Sequence, residues 1–480
     1  MINQIKVLEE VARRLEPGAD QRALWLEKVT AYAENFINDI PNAPVYIGDG
    51  EQGRGLFDSP ISEEGIDIET ALALLKCNVD RPGLNPTSGR FLGYIPGGAL
   101  YPAALGDYLA AITNRYAGVF FASPGAVRME NMLLRWMAGV VGYPESSAGN
   151  LTSGGSVANL AGIVTARDAY QIEGAEVGRA VVYLTEQVHH SVGKALRLAG
   201  LRSCVKRFIP VDARYRMDAG ALAEAIATDK RSGLQPWLIV ASAGTTNTGS
   251  VDPLAAIGDI AAAEQLWFHI DGAYGAFFTL CSEGQKILAG MDRSDSIVMD
   301  PHKTLFLPYG SGAVLVKERQ KLYSSHNHQA DYMQDALAAV EELSPADLSP
   351  ELTKHFKGLR LWLPLKLFGL APFRAALEEK MLLARYFHHK IQEIDGFETG
   401  PEPDLAVAIY RYLPKRGDAN KFNQRLIKEI HQDGRVFVSS TVIDGNFVLR
   451  LAVGAYRTHL ADIDLTLDIL KEKVNDLGML

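Results

Sequence analysis

The sequence predicts an α/β fold in which helices cover a largely parallel sheet. Short β-rich runs recur through the middle of the chain, at residues 181–186, 205–211, 237–243, 267–271, 296–300 and 312–317. Helical periodicity fills residues 218–230 and 253–265, between several of these runs. Such alternation favours parallel pairing, because each helix returns the chain to the start of the next strand. With 480 residues, 47% of them hydrophobic, the chain is long enough for a large core and about two to four domains.

Three parts of the chain differ in pattern, and we expect them to form separate units. Residues 1–88 begin with apolar positions at three- and four-residue spacing, which predicts two helices followed by an irregular stretch. These helices cannot bury their apolar stripes alone, so we expect the segment to pack on another body, such as a partner subunit. Residues 89–350 contain the predicted sheet. Residues 351–480 are expected to form a smaller α/β unit, with candidate strands at 404–411 and 446–453.

Charge and cysteine content argue against several classes of protein. The formal net charge is −9 and no basic run stands out, so nucleic acid and anionic membranes are not expected partners. The cysteines, Cys77, Cys204 and Cys281, are too far apart for a disulfide framework or a CxxC pair. No apolar stretch approaches the roughly 20 residues of a membrane span, and charged residues interrupt the N-terminus where a secretory signal would be apolar. We therefore expect a cytoplasmic protein.

Charged side chains stand at the ends of two buried strands. The run "SIVMD" is followed by a proline, His302 and a single lysine, Lys303, in an apolar neighbourhood. The run "WFHID" ends at Asp271, two residues before Ala273. Buried charges are costly unless they are paired or hydrogen-bonded, and the carboxyl ends of strands are where α/β sheets bind ligands. The pattern indicates a binding site, with an ordinary loop-capping role as the alternative for Asp271.

Three further strand ends carry polar groups. The segment "LTSGGSVANLAGIVTAR" (151–167) places two glycines and Ser156 before a helix, where free N–H groups can bind an anion. The segment "TEQVHHSVGKAL" places His189 and His190 after a strand, but no third ligand follows at metal spacing, so no metal site is predicted. The segment "SAGTTNTGSVDP" (242–253) is rich in hydroxyl groups. Each of these has an ordinary alternative as a turn or a helix cap.

The combination is more specific than its parts, because it meets the needs of a pyridoxal phosphate site. A helix N-terminus binds the phosphate. An uncharged lysine amine, favoured by low polarity, reacts with the cofactor aldehyde. An acid keeps the pyridine nitrogen protonated, so that the ring accepts electrons. We therefore predict that Lys303 binds this cofactor covalently.

Four motifs of these strand ends follow one another in a fixed order: "TSGGSVANL" (152–160), "HHSVGKA" (189–195), "HIDGAYGA" (269–276) and "DPHKT" (300–304). Together they resemble the group II pyridoxal-phosphate-dependent decarboxylases, which include aromatic amino acid, glutamate, histidine and cysteine sulfinate decarboxylases. The resemblance covers nearly the whole chain. It implies the type I aminotransferase-like fold, with a mostly parallel seven-stranded sheet and a smaller C-terminal domain. It also implies a homodimer that converts an L-amino acid into an amine and CO2.

The resemblance also implies a role for each matched residue. Lys303 resembles the lysine that holds the cofactor, Asp271 the acid paired with the pyridine nitrogen, and His189 the histidine stacked on the ring. These three are the expected catalytic residues. The further cofactor contacts implied are Ser156, Val157, Thr246, Ala273 and His302.

The implied substrate pocket is less specific. Tyr94 and Ile95 match a pocket wall of aromatic decarboxylases, with Phe120 nearby. Arg450 resembles an arginine that meets the substrate α-carboxylate in glutamate decarboxylases. Tyr94, Ile95 and Phe120 favour an aromatic or long aliphatic substrate. Aromatic residues are just as common in an ordinary hydrophobic core, which is the alternative for these positions. The matched pocket segments hold no basic cluster of the kind that an acidic substrate would need.

One residue of the family pattern has no match. The family carries a tyrosine just upstream of the segment matched by "KHFKGLRLW", thought to protonate the substrate carbon after CO2 leaves, but residues 338–362 contain no tyrosine. Tyr332 lies further upstream. Without that donor, His189, a tyrosine of the other subunit or water must serve. Alternatively the intermediate is diverted, by oxygen or by protonation at the cofactor carbon, and the product is an aldehyde. We rank amine formation first and aldehyde formation second, with an aminotransferase or an inactive scaffold as further alternatives.

Overall fold

A seven-stranded mixed sheet forms the centre of the protein in the computed structural model, which describes residues 1–50, 52–327 and 342–478. The strands of these residues are β1 (Tyr46–Ile47), β2 (Gly83–Leu84), β3 (Phe91–Leu92), β4 (Ala148–Thr152), β5 (Ala180–Leu184), β6 (Val205–Phe208), β7 (Gln235–Ser242), β8 (Trp267–Asp271), β9 (Ser296–Met299), β10 (Gly312–Val316), β11 (Phe397–Thr399), β12 (Val407–Tyr412), β13 (Phe437–Ile443) and β14 (Asn446–Ala452).

Helices connect most of these strands. The α-helices of the described residues are α1 (Ile2–Ala12), α2 (Ala19–Asp39), α3 (Ile68–Leu75), α4 (Tyr101–Thr113), α5 (Pro124–Val141), α6 (Gly155–Ala169), α7 (His190–Leu198), α8 (Ala219–Arg231), α9 (Leu254–Glu264), α10 (Ser282–Ile287), α11 (Pro301–Thr304), α12 (Arg319–His326), α13 (Gly358–Phe368), α14 (Ala371–Gln392), α15 (Ala419–Asp433) and α16 (Leu460–Gly478).

The large sheet has the strand order β4-β10-β9-β8-β7-β5-β6. The neighbours from β9 to β6 are parallel, whereas β10 is antiparallel to both β4 and β9. It follows that β4 runs in the same direction as the parallel strands. The predicted α/β fold with a mostly parallel sheet is confirmed. The six runs predicted as strands form β5 to β10, but the sequence does not predict β4, whose residues "AGNLT" include poor strand formers.

Side chains of the large sheet alternate between two apolar cores, one on each face. In β5, Val181 and Tyr183 belong to one core, while Val182 and Leu184 belong to the other. Helices α6, α7 and α12 cover the second core, and α5, α8 and α9 contribute to the first. Because helices cover both faces, the central strands are continuous apolar runs rather than alternating ones.

A second sheet of five strands has the order β11-β12-β14-β13-β3. Its pairs are antiparallel, except that β3 pairs in parallel with β13. Helices α14, α15 and α16 contribute the buried side chains of Phe387, Ile430 and Leu470 to the adjoining core. The two strands predicted near residues 404 and 446 are present as β12 and β14. The small sheet also takes in β3, which precedes the large sheet in the chain.

The first two helices lie on the outside of the molecule. Neither α1 nor α2 contains a buried residue. Several of their apolar side chains are widely exposed, among them Ile5 at 55%, Leu8 at 63% and Trp25 at 40%. The helices therefore present apolar surface that this single chain leaves uncovered.

Some features are absent from the part of the chain that the structure describes. No helix there is both long enough and apolar enough to cross a membrane. The same residues include no group of three or more His, Cys, Asp or Glu side chains placed to hold a metal ion. Cys77, Cys204 and Cys281 are all free thiols.

Candidate active site

Five strands of the large sheet end at the same edge, because β4, β5, β7, β8 and β9 all run in one direction. Every predicted cofactor-binding residue lies at or after one of these ends. In strand order they are Ser156 and Val157 after β4, His189 after β5, Thr246 after β7, Asp271 and Ala273 at β8, and His302 and Lys303 after β9. The sheet topology therefore brings to one edge the residues that the sequence spreads along the chain.

Lys303 lies in the one-turn helix α11, which begins directly after β9. Pro301 occupies the first helical position, where a backbone N–H would lack a helical partner. The Nζ atom of Lys303 is 3.1 Å from Oδ2 of Asp300, and the lysine side chain is 23% exposed. The amine is thus held beside a buried acid and remains accessible to a ligand.

Asp300 joins the lysine to the start of α6. Its side chain is 1% exposed. Its Oδ2 accepts a hydrogen bond of 3.1 Å from the N–H of Gly155, and its Oδ1 has no hydrogen-bond partner among the described residues. The sequence predicts no role for Asp300 beyond its place in a motif, yet the structure makes it the acid paired with Lys303.

His302 has a fixed ring orientation beside Asp300. Its Nδ1 lies 2.6 Å from the carbonyl oxygen of Ser311 and 3.3 Å from the backbone nitrogen of the same residue. Its Nε2 is 3.7 Å from Oδ2 of Asp300. Burial lowers the pKa of His302, with Asp300 opposing that effect. The backbone of Ser311 therefore holds the His302 ring beside Asp300.

The start of α6 forms a glycine cradle. Gly154 has a φ of +153°, which disfavours other residues. A Cβ atom on Gly155 would lie 2.9 Å from Oδ2 of Asp300 and 3.1 Å from the Cβ of Ala273, so glycine is what lets the start of α6 approach these two residues. Ser156 is exposed and Val157 half-buried in the first turn. Backbone N–H groups in a first turn lack helical partners and bind anions well.

Asp271 ends β8 and is 8% exposed. Its Oδ2 accepts a hydrogen bond of 3.0 Å from Nδ2 of Asn159, and its Oδ1 accepts one of 3.2 Å from the N–H of Ala273. Both partners are N–H donors, which is what a carboxylate requires, because it can only accept. The acid is therefore held in one orientation at the sheet edge.

His189 caps the N-terminus of α7. Its Nδ1 lies 2.7 Å from Oγ of Ser191 and accepts from the N–H of the same residue at 3.3 Å. Loss of hydration on burial lowers the pKa of His189; the charge of Asp271 opposes this, and that of Lys303 adds to it. His189 thus lies close enough to both Asp271 and Lys303 for their charges to act on it.

Arg450 clamps the loop after β7 to the small sheet. Its side chain is buried, and burial lowers its pKa to about 10. The Nε atom donates to the carbonyl of Asn247 at 2.8 Å, Nη1 to Oγ of Ser439 at 2.8 Å, and Nη2 to the carbonyl of Thr246. Arg450 therefore fixes the backbone at the predicted cofactor contact Thr246, while its role toward a substrate carboxylate stays a prediction.

Tyr94 and Ile95, called the Tyr94 wall below, follow β3 and are linked to Arg450 through Ser439. The Tyr94 side chain is 54% exposed, and its backbone has a φ of +52°, unusual for a residue other than glycine. Its N–H donates to Oγ of Ser439 at 3.2 Å, the hydroxyl that also accepts from Arg450. Ile95 is half-buried against the main core. Ser439 thus joins two residues that the sequence assigns to the substrate pocket.

Phe120 contacts a different part of the chain. It is buried, and its N–H donates to Oγ of Ser344 at 3.0 Å. Neither this hydrogen bond nor the Arg128 guanidinium, 5.1 Å from the centre of the Phe120 ring, connects Phe120 to the Tyr94 wall. Residues 342–362 contain no tyrosine, and Tyr332 lies outside the described residues. The group that protonates the substrate carbon therefore stays a prediction, with His189 among the candidates.

The sequence assigns no role to Asn159, Ser191 and His269, which lie directly behind Asp271 and His189. Asn159 and Ser191 are 1% and 2% exposed, and His269 is fully buried. The available signal is a polar residue within an apolar run, as in "SVANLAGI" and "WFHID", because a buried polar group needs a hydrogen-bond partner. The partners themselves come from distant segments, which a single sequence does not reveal.

The residues at this edge fit pyridoxal phosphate. A glycine cradle at a helix start suits a phosphate. A carboxylate held by N–H donors suits a protonated pyridine nitrogen, and the accessible amine of Lys303 suits an aldehyde. Glycine at position 155 thus lets the start of α6, the acid paired with Lys303 and Ala273 come close together at one site.

Comparisons with known proteins agree with this fit. Residues 78–413 match the pyridoxal-dependent decarboxylase conserved domain. The chain is similar to an aromatic-L-amino-acid decarboxylase of Bacillus atrophaeus, with 32% identity over 450 residues, 92% of this chain and 93% of that protein. It is also similar to a phenylacetaldehyde synthase of Petunia hybrida, with 28% identity over 468 residues, 92% of this chain and 91% of that protein.

A solved structure of a similar protein has the same fold. The crystal structure of Oryza sativa TDC with PLP and tryptamine superimposes with a TM-score of 0.90 at 26% identity, covering 96% of this chain and 99% of that one. The seven-stranded sheet, the lysine at its edge and the family match all indicate one chemistry. The chain belongs to the pyridoxal-dependent decarboxylases and is a carboxy-lyase that uses pyridoxal phosphate to decarboxylate an amino acid.

Proposed function

We propose that the substrate is an aromatic L-amino acid and that the products are the amine and CO2. The observation that carries this proposal is the attachment of the Tyr94 wall to the lysine loop. The N–H of Gly98 lies 3.3 Å from the carbonyl of His302 and 3.1 Å from that of Leu307. The segment with the exposed Tyr94 ring is therefore joined to the chain on both sides of Lys303.

The surroundings of Tyr94 suit an aromatic side chain. Its ring centroid is 5.8 Å from that of Phe437 and 6.5 Å from that of Phe91. Aromatic pairs at such distances gain energy from tilted or offset packing, and an aromatic substrate can extend the cluster. The name of the Bacillus relative supports the same substrate class.

The chain's own residues divide the work around the cofactor. When bound, pyridoxal phosphate supplies an aldehyde for a lysine amine and an electron-accepting ring that takes up the electron pair of the bond to CO2. Lys303 would hold it through Nζ, and the first turn of α6 would bind its phosphate. Asp271 would hold a proton on the pyridine nitrogen, and the His189 ring would shield one face from water.

Arg450 is suited to the carboxylate of the substrate. A guanidinium has five N–H groups, and three atoms of Arg450 each donate to a protein acceptor. N–H groups therefore remain for a further acceptor. The positive charge behind the Tyr94 wall would attract the α-carboxylate and orient the amino acid.

A second candidate product is an aldehyde. In that reaction the amino acid, O2 and water give the aldehyde, CO2, ammonia and hydrogen peroxide. Two observations favour it: the similarity to the Petunia phenylacetaldehyde synthase, and the lack of a tyrosine in residues 342–362. Amine formation remains the first candidate, because the Bacillus decarboxylase is the more similar of the two relatives.

One assay separates these possibilities. The purified enzyme is given phenylalanine, tyrosine, tryptophan or glutamate, and CO2, amine, ammonia and peroxide are measured together. We expect the highest kcat/KM with an aromatic amino acid, and as much amine as CO2. A preference for glutamate would contradict the substrate class, and ammonia and peroxide equal to CO2 would establish the aldehyde route.

A variant tests the wall itself. Tyr94→Ala should lower kcat/KM for the best aromatic substrate by roughly tenfold, the usual worth of one apolar contact in a pocket. Phe368→Ala is the control, because Phe368 is 49% exposed at the end of α13 and plays no part in the wall. If the two substitutions changed kcat/KM equally, Tyr94 would not be a substrate contact.

We infer that the protein forms a homodimer. Helix α4 exposes Leu105, Tyr108, Leu109 and Ile112, which share one face because their spacing is three or four residues. The apolar side chains that α1, α2 and α4 expose are surface that a second copy of the chain would cover. A cytoplasmic location also stays a prediction, supported by the three free thiols.

A further inference from the structure

Asn159 lies at the centre of a set of buried hydrogen bonds that links Asp271 to His189, two of the three expected catalytic residues. Its Oδ1 is 2.8 Å from Nε2 of His269. Its Nδ2 is 3.0 Å from Oδ2 of Asp271 and 3.1 Å from Oγ of Ser191. The carboxylate of Asp271 can only accept, so the NH2 group of Asn159 must face it, and the orientation of the amide is settled.

The hydrogen bonds that lead to Asn159 run in one direction. The indole N–H of Trp267 donates to Oγ of Ser296 at 2.8 Å. The Ser296 hydroxyl then has its proton free for Nδ1 of His269, at 2.7 Å. Burial lowers the pKa of His269 to about 4, so the ring is neutral and carries one N–H. That N–H is on Nε2, and it donates to Oδ1 of Asn159.

The same direction continues from Asn159 to His189. Because Oγ of Ser191 accepts from Nδ2 of Asn159, its own proton is available for Nδ1 of His189, 2.7 Å away. The N–H of Ser191 also points at this nitrogen, at 3.3 Å. Nδ1 of His189 is therefore an acceptor, and a neutral ring must carry its proton on Nε2.

We propose that Asn159 is a positioning residue that orients the Asp271 carboxylate and holds the His189 imidazole in the tautomer with its proton on Nε2. Its two NH2 hydrogens serve the two sides of the site, one toward the acid and one, through Ser191, toward the histidine. Asn159 is the branch point, because removing its NH2 group breaks both connections, whereas removing the Ser191 hydroxyl breaks only the second.

This arrangement sets what His189 can do. With its proton on Nε2, the ring presents an N–H donor on the side away from Ser191 and cannot accept a proton at that atom. The inference rests on the cofactor site of the decarboxylase and makes no use of an aromatic substrate. A result against an aromatic substrate would therefore leave the inference about Asn159 unaffected.

The test measures the tautomer directly. Holoenzyme carrying 15N-labelled histidine is studied by NMR, because protonated and unprotonated ring nitrogens have well-separated shifts, and the His189 signals are identified by their loss in His189→Gln. We expect Nε2 of His189 to be protonated in the wild type. In Asn159→Asp, the Ser191 hydroxyl should donate to the new carboxylate instead of to His189, giving a mixture of tautomers.

A second readout covers Asp271. Asn159→Asp sets a carboxylate against Asp271, so the dissociation constant for pyridoxal phosphate should rise roughly tenfold or more. Ser191→Ala should alter the His189 tautomer but change that constant by less than about twofold. This smaller substitution also tests the histidine branch if Asn159→Asp does not fold.

The matched control is Thr165→Val on the same helix. Thr165 is fully buried and donates to the carbonyl of Ala161 at 2.9 Å, outside this set of hydrogen bonds. It should leave both the tautomer and the cofactor affinity unchanged. A wild-type His189 protonated on Nδ1, or an Asn159→Asp variant with the wild-type tautomer and cofactor affinity, would overturn the proposal.

Discussion

Lys303 faces both a buried acid and the open edge of the sheet, which suits an amine that exchanges partners. We predict that Lys303→Ala abolishes covalent attachment of the cofactor, and that turnover falls by at least roughly 10²–10⁴-fold, the range lost with one positioned proton-transfer group. Borohydride reduction followed by mass spectrometry checks this, since the cofactor should be fixed to the peptide containing Lys303 only. Lys317→Ala, a lysine bound to the carbonyl of Asp292, should behave as the wild type. A cofactor fixed elsewhere in Lys303→Ala would assign the wrong lysine.

His269 gives the protein a stability that depends on pH. Burial lowers its pKa from 6.5 to about 4, so between these values the unfolded chain binds the extra proton and the folded chain does not. Stability therefore falls as the pH is lowered through this window, by roughly 1–2 kcal/mol between pH 6.5 and pH 5. His269→Gln should flatten the decline in Tm from pH 7.5 to pH 5, although other buried histidines still contribute. His389→Gln, whose side chain is 62% exposed, should leave the slope unchanged.

At the scale of elements, a buried ion pair joins α5 and β4 to the segment that precedes α13. The Nζ of Lys354 is 2.7 Å from Oε2 of Glu130, with both side chains fully buried, and it donates to Oδ1 of Asn150 at 2.9 Å. Lys354→Met leaves the glutamate buried and unpaired, which should cost about 3–5 kcal/mol of unfolding free energy.

The partner variants give that prediction its controls. Adding Glu130→Gln to Lys354→Met should restore most of the stability, because no buried charge remains. Lys390→Met removes an exposed pair with Glu393 on α14 and should change stability by less than about 1 kcal/mol. Chemical unfolding followed by tryptophan fluorescence measures all of these. Similar losses for Lys354→Met and Lys390→Met would show that burial of the first pair has no energetic consequence.

The elements also show how far a single sequence leads. Strands β5 and β7 to β9 are predictable, because apolar runs such as "WLIVASA" suit a sheet covered on both faces. Strand β4 is not, since Gly149 and Asn150 have weak strand propensity and are held by pairing with β10. The same limit applies to the site: Lys303 and Asp271 stand out as charges after apolar runs, while Asn159 gains its role only from contacts made in the folded chain.

At the scale of the whole molecule, the uncovered faces of α1, α2 and α4 make the association state testable. Ile5→Asp places a charge in the apolar stripe of α1, where Ile5 is 55% exposed in the single chain. We predict that the wild type sediments as a dimer, and that Ile5→Asp raises the dimer dissociation constant by roughly tenfold or more, because burying an unpaired charge is costly. Gln4→Asp, one position away, adds the same charge beside the stripe and should have a smaller effect. A wild type that stays monomeric at high concentration would refute the inferred homodimer.

The pairing of β3 with β13 has a consequence for how the chain is made. The hydrogen bond from Tyr94 to Ser439, next to this pairing, spans 345 residues. During synthesis, β3 leaves the ribosome long before its neighbour exists, so this border of the smaller sheet can form only when translation is nearly complete. Contacts of such long range slow folding and favour intermediates in larger proteins, and a nascent chain stalled before residue 437 would leave the apolar strand β3 without its pairing partner.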